Sequence, residues 1–465
     1  MTEKPLGSMS YQEAVSYLNS FIDLDQGPST TPASQAMSVE RTRLLLAGLG
    51  QPQHGRGTVH VTGSKGKGST STMIASMLDA EVGPTSLFTS PHIQKYTERM
   101  VLSGRQASEE DFARAVFEIK PYLDAHHRGP HGPVSFFQSL IALFFQLTRT
   151  APDPIAFQVV EVGMGGLNDA TNIFDRKDIA VFTPVSMEHP GVLGSTIAEI
   201  AENKAGIILP GCRVVIGPQR SPEAAPAIIR KARELGCPHV DVAREYRGKL
   251  LEVKDGKQSF IIEGPSGRDT YTSTLLGEHQ VLNAMTALAA MESLEIALGR
   301  KFDRQTLIRG IDRAWLPGRL ELLSSKPLIL ADGAHNDESA EVLWAALERL
   351  YPGRRAVIVL AANKDKNVRA IVDKLGPDTG RTIIATRTQN CKAMEACDLV
   401  DQAGLAPGTT VTATVEEALE TAMTIAGEDD LILVTGSLYA AGEARDFAEK
   451  RARHFDPRLA VTQAV

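Results

Sequence analysis

The sequence lacks the residue patterns that mark several classes of protein. Its 465 residues include only four cysteines, and no two of them form a Cys-x-x-Cys pair. This scarcity and spacing argue against a disulfide framework and against a metal site built on paired cysteines. We therefore expect the protein to work in a reducing, cytoplasmic compartment.

Excess positive charge and long apolar runs are also missing. The formal net charge is −7 at pH 7, which argues against a broad basic surface for nucleic acid. No run reaches the ~20 apolar residues that a membrane span needs, and the first residues contain no apolar core of a signal peptide. We expect neither nucleic acid nor a membrane to be a partner.

Apolar strands and helical segments alternate along most of the chain. The runs "GTVHV", "PIAFQVVEV" and "DIAVFTPV" are typical of parallel strands that are covered on both faces. A second series, from "PLILADGAHN" to "DLILVTGS", follows the break at Pro317-Gly318. The alternation predicts an α/β fold with two domains, residues 1–316 and 317–465, each with a mainly parallel sheet.

Two local patterns interrupt this alternation. The polar stretch "DQGPSTTPASQAMS", residues 25–38, predicts a mobile loop between a first helix in "SYQEAVSYLNSFI" and a second in "VERTRLLLAGLG", which Gly50 closes. The β-rich run "YRGKLLEVKDGKQSFIIEG" predicts a hairpin at Asp255-Gly256.

The stretch "VTGSKGKGST", residues 61–70, follows a predicted strand and begins a predicted helix. Its glycines let backbone N–H groups approach phosphate oxygens without a Cβ in the way, and the helix N-terminus attracts anions. Lys67 would bind the β and γ phosphates of a nucleotide. A glycine-rich turn without a ligand is the alternative. The predicted ATP-binding loop comprises Gly63, Ser64, Lys65, Gly66, Lys67, Gly68 and Ser69.

This loop departs from a standard P-loop in one respect. Lys67 is followed by Gly68, so the hydroxyl that normally holds Mg²⁺ arrives one position late, at Ser69. If ATP binds here, the metal needs a ligand from another segment.

Three more residues have side chains that chemistry could use. Glu161 ends an apolar strand, where an unpaired carboxylate is costly, and it reads either as a metal ligand or as a salt-bridged structural residue. His189 follows the next predicted strand, and a single loop histidine carries little information. Lys204 falls on the apolar face of "TIAEIAENKAGIIL". It is either a catalytic or modified lysine or a side chain that snorkels to solvent.

The order of the motifs resembles that of a known family. The motifs resemble those of the folylpolyglutamate synthase/dihydrofolate synthase family, within the Mur-ligase-like ATP-dependent amide ligases. They are "HVTGSKGKGST", "LFTSPHI", "FQVVEVGMGGLNDATN", "HPGVLGSTIAEIAENKAGII", "GEHQVLNAMTALAA", "LPGRLE", "DGAHN" and "TGSLYAAGEAR". The resemblance implies a P-loop α/β domain followed by a smaller, Rossmann-like α/β domain.

The resemblance also implies a reaction. ATP phosphorylates the carboxylate of a folate or pteroate, and the amine of L-glutamate attacks the acyl phosphate to give an amide, ADP and phosphate. The protein neutralises the charge that develops on the transferring γ-phosphoryl group. ATP and Mg²⁺ are the implied cofactors, and the partners are small-molecule substrates. We expect a monomer. Whether dihydropteroate is also a substrate is open.

Metal ligands are carried over where this sequence matches the family's motifs. Ser90, Glu161 and His189 match the Mg²⁺ ligands, so Ser90 would supply the hydroxyl that the loop lacks. Lys204 matches the lysine that is carbamylated in the family. The carbamate would be a carboxylate able to hold a second metal or K⁺.

The resemblance extends to nucleotide contacts outside the loop. Asn283, Arg319 and Asp332 match ATP contacts, and the last two would close the second domain over the nucleotide. His335 matches a second-domain residue that faces the active site. The implied catalytic residues are Lys67, Lys204 and His335.

The acceptor pocket departs from the family pattern. Gln138 stands where the family has a glutamate, Leu167 stands where it has an arginine, and Glu188 stands where an aspartate usually precedes the histidine. These departures leave the acceptor less defined than the ATP and metal site. The implied folate- or pteroate-binding residues are Phe136, Phe137, Gln138, Asn168, Asp169 and Ala170.

Three other functions stay open. A ligase of the same fold could act on another carboxylate, which Leu167 and Gln138 suggest. A P-loop NTPase switch or motor would turn over ATP without glutamate, but it leaves Lys204 and the second domain unexplained. A pseudoenzyme would bind ATP or folate and make no product.

Overall fold

The computed structural model describes residues 8–21, 32–254, 256–376 and 381–455. Within them the chain forms two compact units. The first takes the described residues up to Leu250 together with Phe260–Thr272 and Gln280–Ala314. The second takes Leu251–Ser259, Ser273–His279 and the described chain from Trp315 onward.

The elements alternate between strand and helix for much of the chain. The strands are β1 (Gly57–Thr62), β2 (Thr85–Phe88), β3 (Met100–Leu102), β4 (Arg105–Gln106), β5 (Phe157–Glu161), β6 (Ile179–Phe182), β7 (Arg213–Ile216), β8 (His239–Asp241), β9 (Arg247–Lys254), β10 (Lys257–Gly264), β11 (Gly267–Ser273), β12 (Glu321–Ser325), β13 (Leu328–Ala331), β14 (Ala356–Leu360), β15 (Arg381–Ala385), β16 (Thr410–Val411) and β17 (Leu431–Thr435). The helices are α1 (Tyr11–Asn19), α2 (Pro32–Gly48), α3 (Lys67–Glu81), α4 (Glu109–His127), α5 (Phe136–Thr150), α6 (Ile197–Ala205), α7 (Ala224–Glu234), α8 (Val242–Glu245), α9 (Glu278–Leu298), α10 (Arg304–Arg313), α11 (Asp337–Leu350), α12 (Val368–Lys374), α13 (Ala396–Ala403), α14 (Val415–Ile425) and α15 (Leu438–Phe455).

The first unit is built on an eight-stranded sheet in the order β4-β3-β2-β5-β1-β6-β7-β8. Neighbours from β2 through β8 pair in parallel, and only the pairs β2–β3 and β3–β4 at one edge are antiparallel. Every residue of β5 and β6 is buried, because helices cover both faces of a parallel sheet. The near-continuous apolar runs in the sequence follow from this double burial.

The second unit has a six-stranded sheet in the order β12-β13-β17-β14-β15-β16, parallel except for the pair β12–β13. Alternate residues of the same strands face two different cores. Leu330 and Leu433 belong to one core, whereas Ile329 and Ile432 belong to the other. The two sheets confirm the predicted α/β fold with mainly parallel strands.

The local predictions divide into one that is confirmed and one that is partly wrong. β9 and β10 are neighbours in a three-stranded sheet. β9 ends at Lys254 and β10 begins at Lys257. This confirms the hairpin, although Asp255 lies outside the described residues. The loop prediction is wrong for residues 32–38, because α2 begins at Pro32. Proline suits the first turn of a helix, where its missing N–H has no intrahelical acceptor. Residues 25–31 lie outside the described residues.

Helix α9 has the length and mean hydropathy of a segment that could cross a membrane. However, 78% of its most apolar window of 18 residues is buried inside the protein. Its apolar residues include Ala287, Met291 and Leu294, which are all buried. A helix that is apolar on all sides is typical of a protein core as well as of a membrane.

Candidate active site

The glycine-rich loop joins β1 to α3 at the carboxyl end of the first unit's sheet. Gly63 has a φ of +147° and Gly66 a φ of +83°, in the region that favours glycine. A Cβ at position 63 would lie 1.9 Å from Thr183 Oγ1, and a Cβ at position 66 would lie 2.4 Å from Asn283 Oδ1. Both the backbone conformation and the space therefore require glycine, and Asn283 lies against the predicted ATP loop.

Hydrogen bonds hold this loop to the segment after β6. Ser64 N donates to Pro184 O at 2.8 Å, and Ser64 Oγ donates to Ser186 O at 3.2 Å. Lys67 Nζ donates to Gly63 O at 3.0 Å. The first i→i−4 bond of α3 runs from Thr70 N to Gly66 O. The N–H groups of residues 67–69 precede that bond, so they have no acceptor within the helix and are suited to an anion.

Two of the three predicted metal ligands lie in contact. Glu161 is the last residue of β5 and is 3% exposed, and Ser90 follows β2, the neighbouring strand. Ser90 N donates to Glu161 Oε2 at 3.1 Å. A carboxylate and a hydroxyl are oxygen ligands of the kind that Mg²⁺ prefers, and this ion usually keeps several waters. The residues therefore fit a magnesium ion with only a few protein ligands.

His189 lies in a different setting from these two residues. It follows β6, which is two positions from β5 in the sheet, and it is exposed with a φ of +45°. Within the described ranges, no group of three or more His, Cys, Asp or Glu side chains is placed to hold a metal ion. The role of His189 as a ligand stays a prediction.

Lys204 in α6 is buried next to the loop. Its side chain is 1% exposed, and Nζ donates to Glu188 Oε1 at 2.6 Å and to Gly63 O at 3.1 Å. The alternative that this lysine snorkels to solvent is therefore wrong. Burial lowers the pKa of Lys204 to about 8, although Glu188 opposes this shift. Burial alone would raise the pKa of Glu188, but Lys204 and Lys67 bring it below its usual value.

Two parts of the predicted acceptor pocket meet at Gly163. A Cβ at this position would lie 2.5 Å from the Phe137 ring and 3.2 Å from Asp169 Oδ2. The buried carboxylate of Asp169 accepts from Thr171 N at 2.9 Å, from Thr171 Oγ1 at 2.5 Å and from Met164 N at 2.9 Å. Burial raises the pKa of Asp169, and these donors oppose the shift. Ala170 beside it is buried.

The remaining predicted pocket residues have different surroundings. Gln138 is the third residue of α5 and forms a capping box with Ser135, and its Nε2 donates to Ser38 O at 3.0 Å. The side-chain oxygen and nitrogen of Gln138 are therefore both hydrogen-bonded within the protein. Asn168 is half-buried, and Leu167 beside it is 52% exposed. Phe136 packs against the ring of Tyr96.

The predicted residues of the second unit lie together at the carboxyl end of β13. Asp332 is half-buried and accepts from Leu320 N and from Ala334 N, both at 2.8 Å. Burial raises the pKa of Asp332, and Arg319 opposes the shift. His335 Nδ1 lies 2.9 Å from Gly333 O. Because a carbonyl can only accept, Nδ1 carries the proton and directs Nε2 away from this bond.

The sequence did not reveal the partners that hold these side chains. Glu188 was visible only as a departure before His189, and nothing in the linear spacing indicated that it pairs with Lys204. Thr183, at the end of β6, was missed as the residue against Gly63. The apolar run that ends at this threonine was the one available signal, since strands that end in polar residues border ligand sites in α/β sheets.

Comparisons with known proteins agree with this arrangement. Residues 61–291 match the Mur ligase middle domain, and residues 318–438 match the Mur ligase, glutamate ligase domain. The dihydrofolate synthase/folylpolyglutamate synthase of Bacillus subtilis is 30% identical over 94% of this chain and 98% of its own.

Solved structures give the same result. The Mycobacterium tuberculosis folylpolyglutamate synthase complexed with ADP superposes with a TM-score of 0.84 at 28% identity, over 94% of this chain and 98% of that one. An FPGS-AMPPCP-folate complex superposes with a TM-score of 0.78 at 29% identity, over 94% and 99% of the two chains. Similarity of this extent shows that the chain belongs to the folylpolyglutamate synthase/dihydrofolate synthase family of Mur ligases.

Proposed function

We propose that this protein joins L-glutamate to a folate in an ATP-dependent reaction, through an acyl phosphate, with release of ADP and phosphate. The observation that carries the proposal is the convergence of the glycine-rich loop with the Ser90–Glu161 pair at the carboxyl ends of β1, β2 and β5. Nucleotide in the loop would bring its γ-phosphate to the ligands that a metal needs. The relatives named above, which are synthases of folylpolyglutamate and dihydrofolate, support the choice of acceptor.

The chain's own residues would orient ATP. The N–H groups of residues 67–69 would donate to phosphate oxygens, and Lys67 Nζ would exchange the carbonyl of Gly63 for the β and γ phosphates. Asn283, which lies against Gly66, would fix one side of the loop. Ser90, Glu161 and His189 would hold Mg²⁺, which would neutralise the charge that develops on the transferring phosphoryl group.

Lys204 would act as a carbamate. A lysine amine attacks carbon dioxide only in its neutral form, losing a proton as the N–C bond forms. Because burial lowers the pKa of Lys204 to about 8, more of this side chain is neutral near pH 7 than at the usual lysine pKa. The carbamate would lie beside Glu188, so two negative charges would favour K⁺ or a second divalent ion there.

The acceptor would lie by Phe136, Phe137, Asn168, Asp169 and Ala170. Asp169 and Phe137 both border Gly163, so a planar ring could stack on the phenyl group, while the Asp169 carboxylate, which accepts from Thr171 and Met164, would fix the shape of the loop beside it. Gln138 holds the start of α5 and would act on this pocket through the position of Phe137. Dihydropteroate is a second candidate acceptor.

In the second unit, Arg319 and Asp332 would contact ATP, and His335 would take part in catalysis. These roles rest on the family resemblance and on the cluster that the residues form at the end of β13. We place the reaction in the cytoplasm and expect the enzyme to be a monomer.

One assay tests the proposal. Purified protein is incubated with ATP, Mg²⁺, L-glutamate and tetrahydrofolate, and in a parallel reaction with dihydropteroate. ADP release should require both glutamate and the acceptor, and the product should gain one glutamyl residue by mass spectrometry. ADP release without glutamate would support a switch or motor NTPase instead, and no release above background with any folate or pteroate would overturn the proposal.

A further inference from the structure

A chain of buried polar side chains runs beneath the acceptor loop and ends at Asp169, and its other members have no part in the proposed reaction. It begins at Lys177, which is 2% exposed and lies between the loop and β6. Lys177 Nζ lies 2.8 Å from Nδ1 of His60, a fully buried residue of β1. His60 Nε2 lies 2.9 Å from Thr171 Oγ1, and Thr171 Oγ1 donates to Asp169 Oδ1 at 2.5 Å.

The proton on His60 can be assigned from this geometry. A threonine hydroxyl has one proton, and here it goes to the carboxylate of Asp169. The same oxygen can then only accept from His60, so Nε2 carries the imidazole proton. Nδ1 is left as an acceptor, and it accepts from Lys177. Each group in the chain therefore donates toward Asp169, from the ammonium group to the carboxylate.

We propose that Lys177 is a positioning residue for the folate acceptor, because it holds the carboxylate of Asp169 and the loop at residues 163–172 through His60 and Thr171. The inference rests on the proposed function, in which Asp169 borders the acceptor. The hydrogen-bonded chain Lys177–His60–Thr171–Asp169, called the relay below, has a buried cation, Lys177, at one end and a buried anion, Asp169, at the other. A buried charge is tolerated when it is paired and hydrogen-bonded.

The surroundings of Lys177 favour the loss of its charge near neutral pH. Burial lowers the pKa of Lys177 to about 7, with Cys212 opposing this shift and Arg43 adding to it. Burial also lowers the pKa of His60 well below its usual value, and Lys177 adds to that shift, so the imidazole stays neutral. Asn172 Oδ1 accepts from Nζ at 3.4 Å, and the ring of Phe174 lies 5.6 Å from it.

The charge on Asp169 has a second neighbour to be considered. Lys204 of α6, as an ammonium group, interacts electrostatically with the Asp169 carboxylate, and its carbamate in the proposed reaction would remove that positive charge. As pH rises through about 7, Lys177 loses its charge. The hold on Asp169 should therefore weaken above about pH 7, whereas a Lys204 carbamate would keep its own charge over this range.

The first test detects the hydrogen bonds of the relay directly and does not depend on ligase activity. The imidazole ¹⁵N resonances of labelled protein are recorded between pH 6 and pH 9, and those of His60 are assigned by their loss in His60→Asn. We expect a neutral ring with the proton on Nε2, and a shift of the Nδ1 resonance in Lys177→Met as its donor disappears. A proton on Nδ1 in the unmodified protein would overturn the relay.

The second test measures the KM for the folate acceptor. Lys177→Met should raise the KM for tetrahydrofolate by about tenfold, the loss expected for a charge-assisted hydrogen bond, with the KM for ATP unchanged. In the unmodified protein the acceptor KM should rise as pH increases through about 7, and in Lys177→Met it should stay flat. Lys301→Met, an exposed lysine, is the matched control and should behave like the unmodified protein.

Thr171 supplies the variant that keeps Lys177 in place. Thr171→Val should reproduce the rise in acceptor KM. Thr171→Ser, which keeps the hydroxyl, should have an acceptor KM close to that of the unmodified protein. An acceptor KM within about twofold of normal in an active, folded Lys177→Met or Thr171→Val protein would overturn the role of Lys177. Absence of all ligation together with the expected His60 resonances would instead overturn the proposed function.

Discussion

Lys204 shows that the position of a residue on a helix can be predicted from sequence when its contacts cannot. Its place on the apolar face of α6 follows from helical periodicity, and its burial agrees with that pattern. Its partner Glu188 lies 16 residues earlier in the chain, in a loop whose path depends on the folded sheet. A contact of that kind has no signature in the linear sequence. For the same reason, the contact between His60 and Lys177, which are 117 residues apart, could not be predicted from the sequence.

Carbamylation of Lys204 is a prediction about this one side chain. Incubation with ¹³C-labelled bicarbonate should give a carbamate carbon in the NMR spectrum. Because the neutral amine is the form that reacts, the labelled fraction at fixed dissolved carbon dioxide should rise as pH increases through about 8. Lys204→Met should lack the signal and Lys301→Met should keep it. No carbamate signal at pH 8.5 would show that the lysine acts as an ammonium group.

The proposed metal ligands give a second prediction at this scale. Ser90→Ala and Glu161→Gln should each lower the rate of ligation by roughly 100-fold or more, because even residues behind metal ligands contribute about 10–100-fold. Thermal unfolding should change little, since neither change removes apolar packing. Glu202→Gln, at an exposed glutamate of α6, is the matched control. Normal rates from either variant at ordinary Mg²⁺ concentrations would contradict the assignment of these ligands.

At the scale of elements, the strands and the glycine-rich loop were predictable because their signals are local. An apolar run, a glycine cluster and a helical period are each contained within about 20 residues. The start of α2 at Pro32 was missed because it lies inside a longer run, residues 25–38, in which polar residues outnumber apolar ones, although residues 33–38 are compatible with a helix. Gln138 was read as a pocket residue, while the local pattern from Ser135 also predicts the capping box that the structure contains.

The loop between β1 and α3 can be tested as an element. Gly66→Ala should raise the KM for ATP by at least about tenfold, because its Cβ would displace Asn283, and a lost charge-assisted contact costs about that much. The positive φ alone should cost about 1–2 kcal/mol of stability. Gly236→Ala is the matched control, since its φ is +65° and nothing lies within 4 Å of the added Cβ. Equal effects on ATP in the two variants would indicate backbone strain and not the loop site.

For the whole molecule, the alternation of strands and helices was sufficient to predict an α/β fold with mainly parallel sheets, because parallel strands need a crossover between each pair. It was not sufficient to assign Leu251–Ser259 and Ser273–His279 to the second unit, since these short segments are set by tertiary contacts and not by their own sequence. The order of eight motifs identified the family, because no single motif is specific and their joint order is. The acceptor depends on side chains such as Leu167 that differ from the family pattern, and it requires measurement.

The central claim is that the acceptor carboxylate is activated by phosphorylation. An acyl phosphate takes one oxygen from the carboxylate, and that oxygen leaves with the phosphate when glutamate attacks. With the reacting carboxylate labelled with ¹⁸O, mass spectrometry should find one ¹⁸O atom in the inorganic phosphate for each amide formed, and none in ADP. Unlabelled phosphate released together with ligated product would contradict an acyl-phosphate mechanism for this protein.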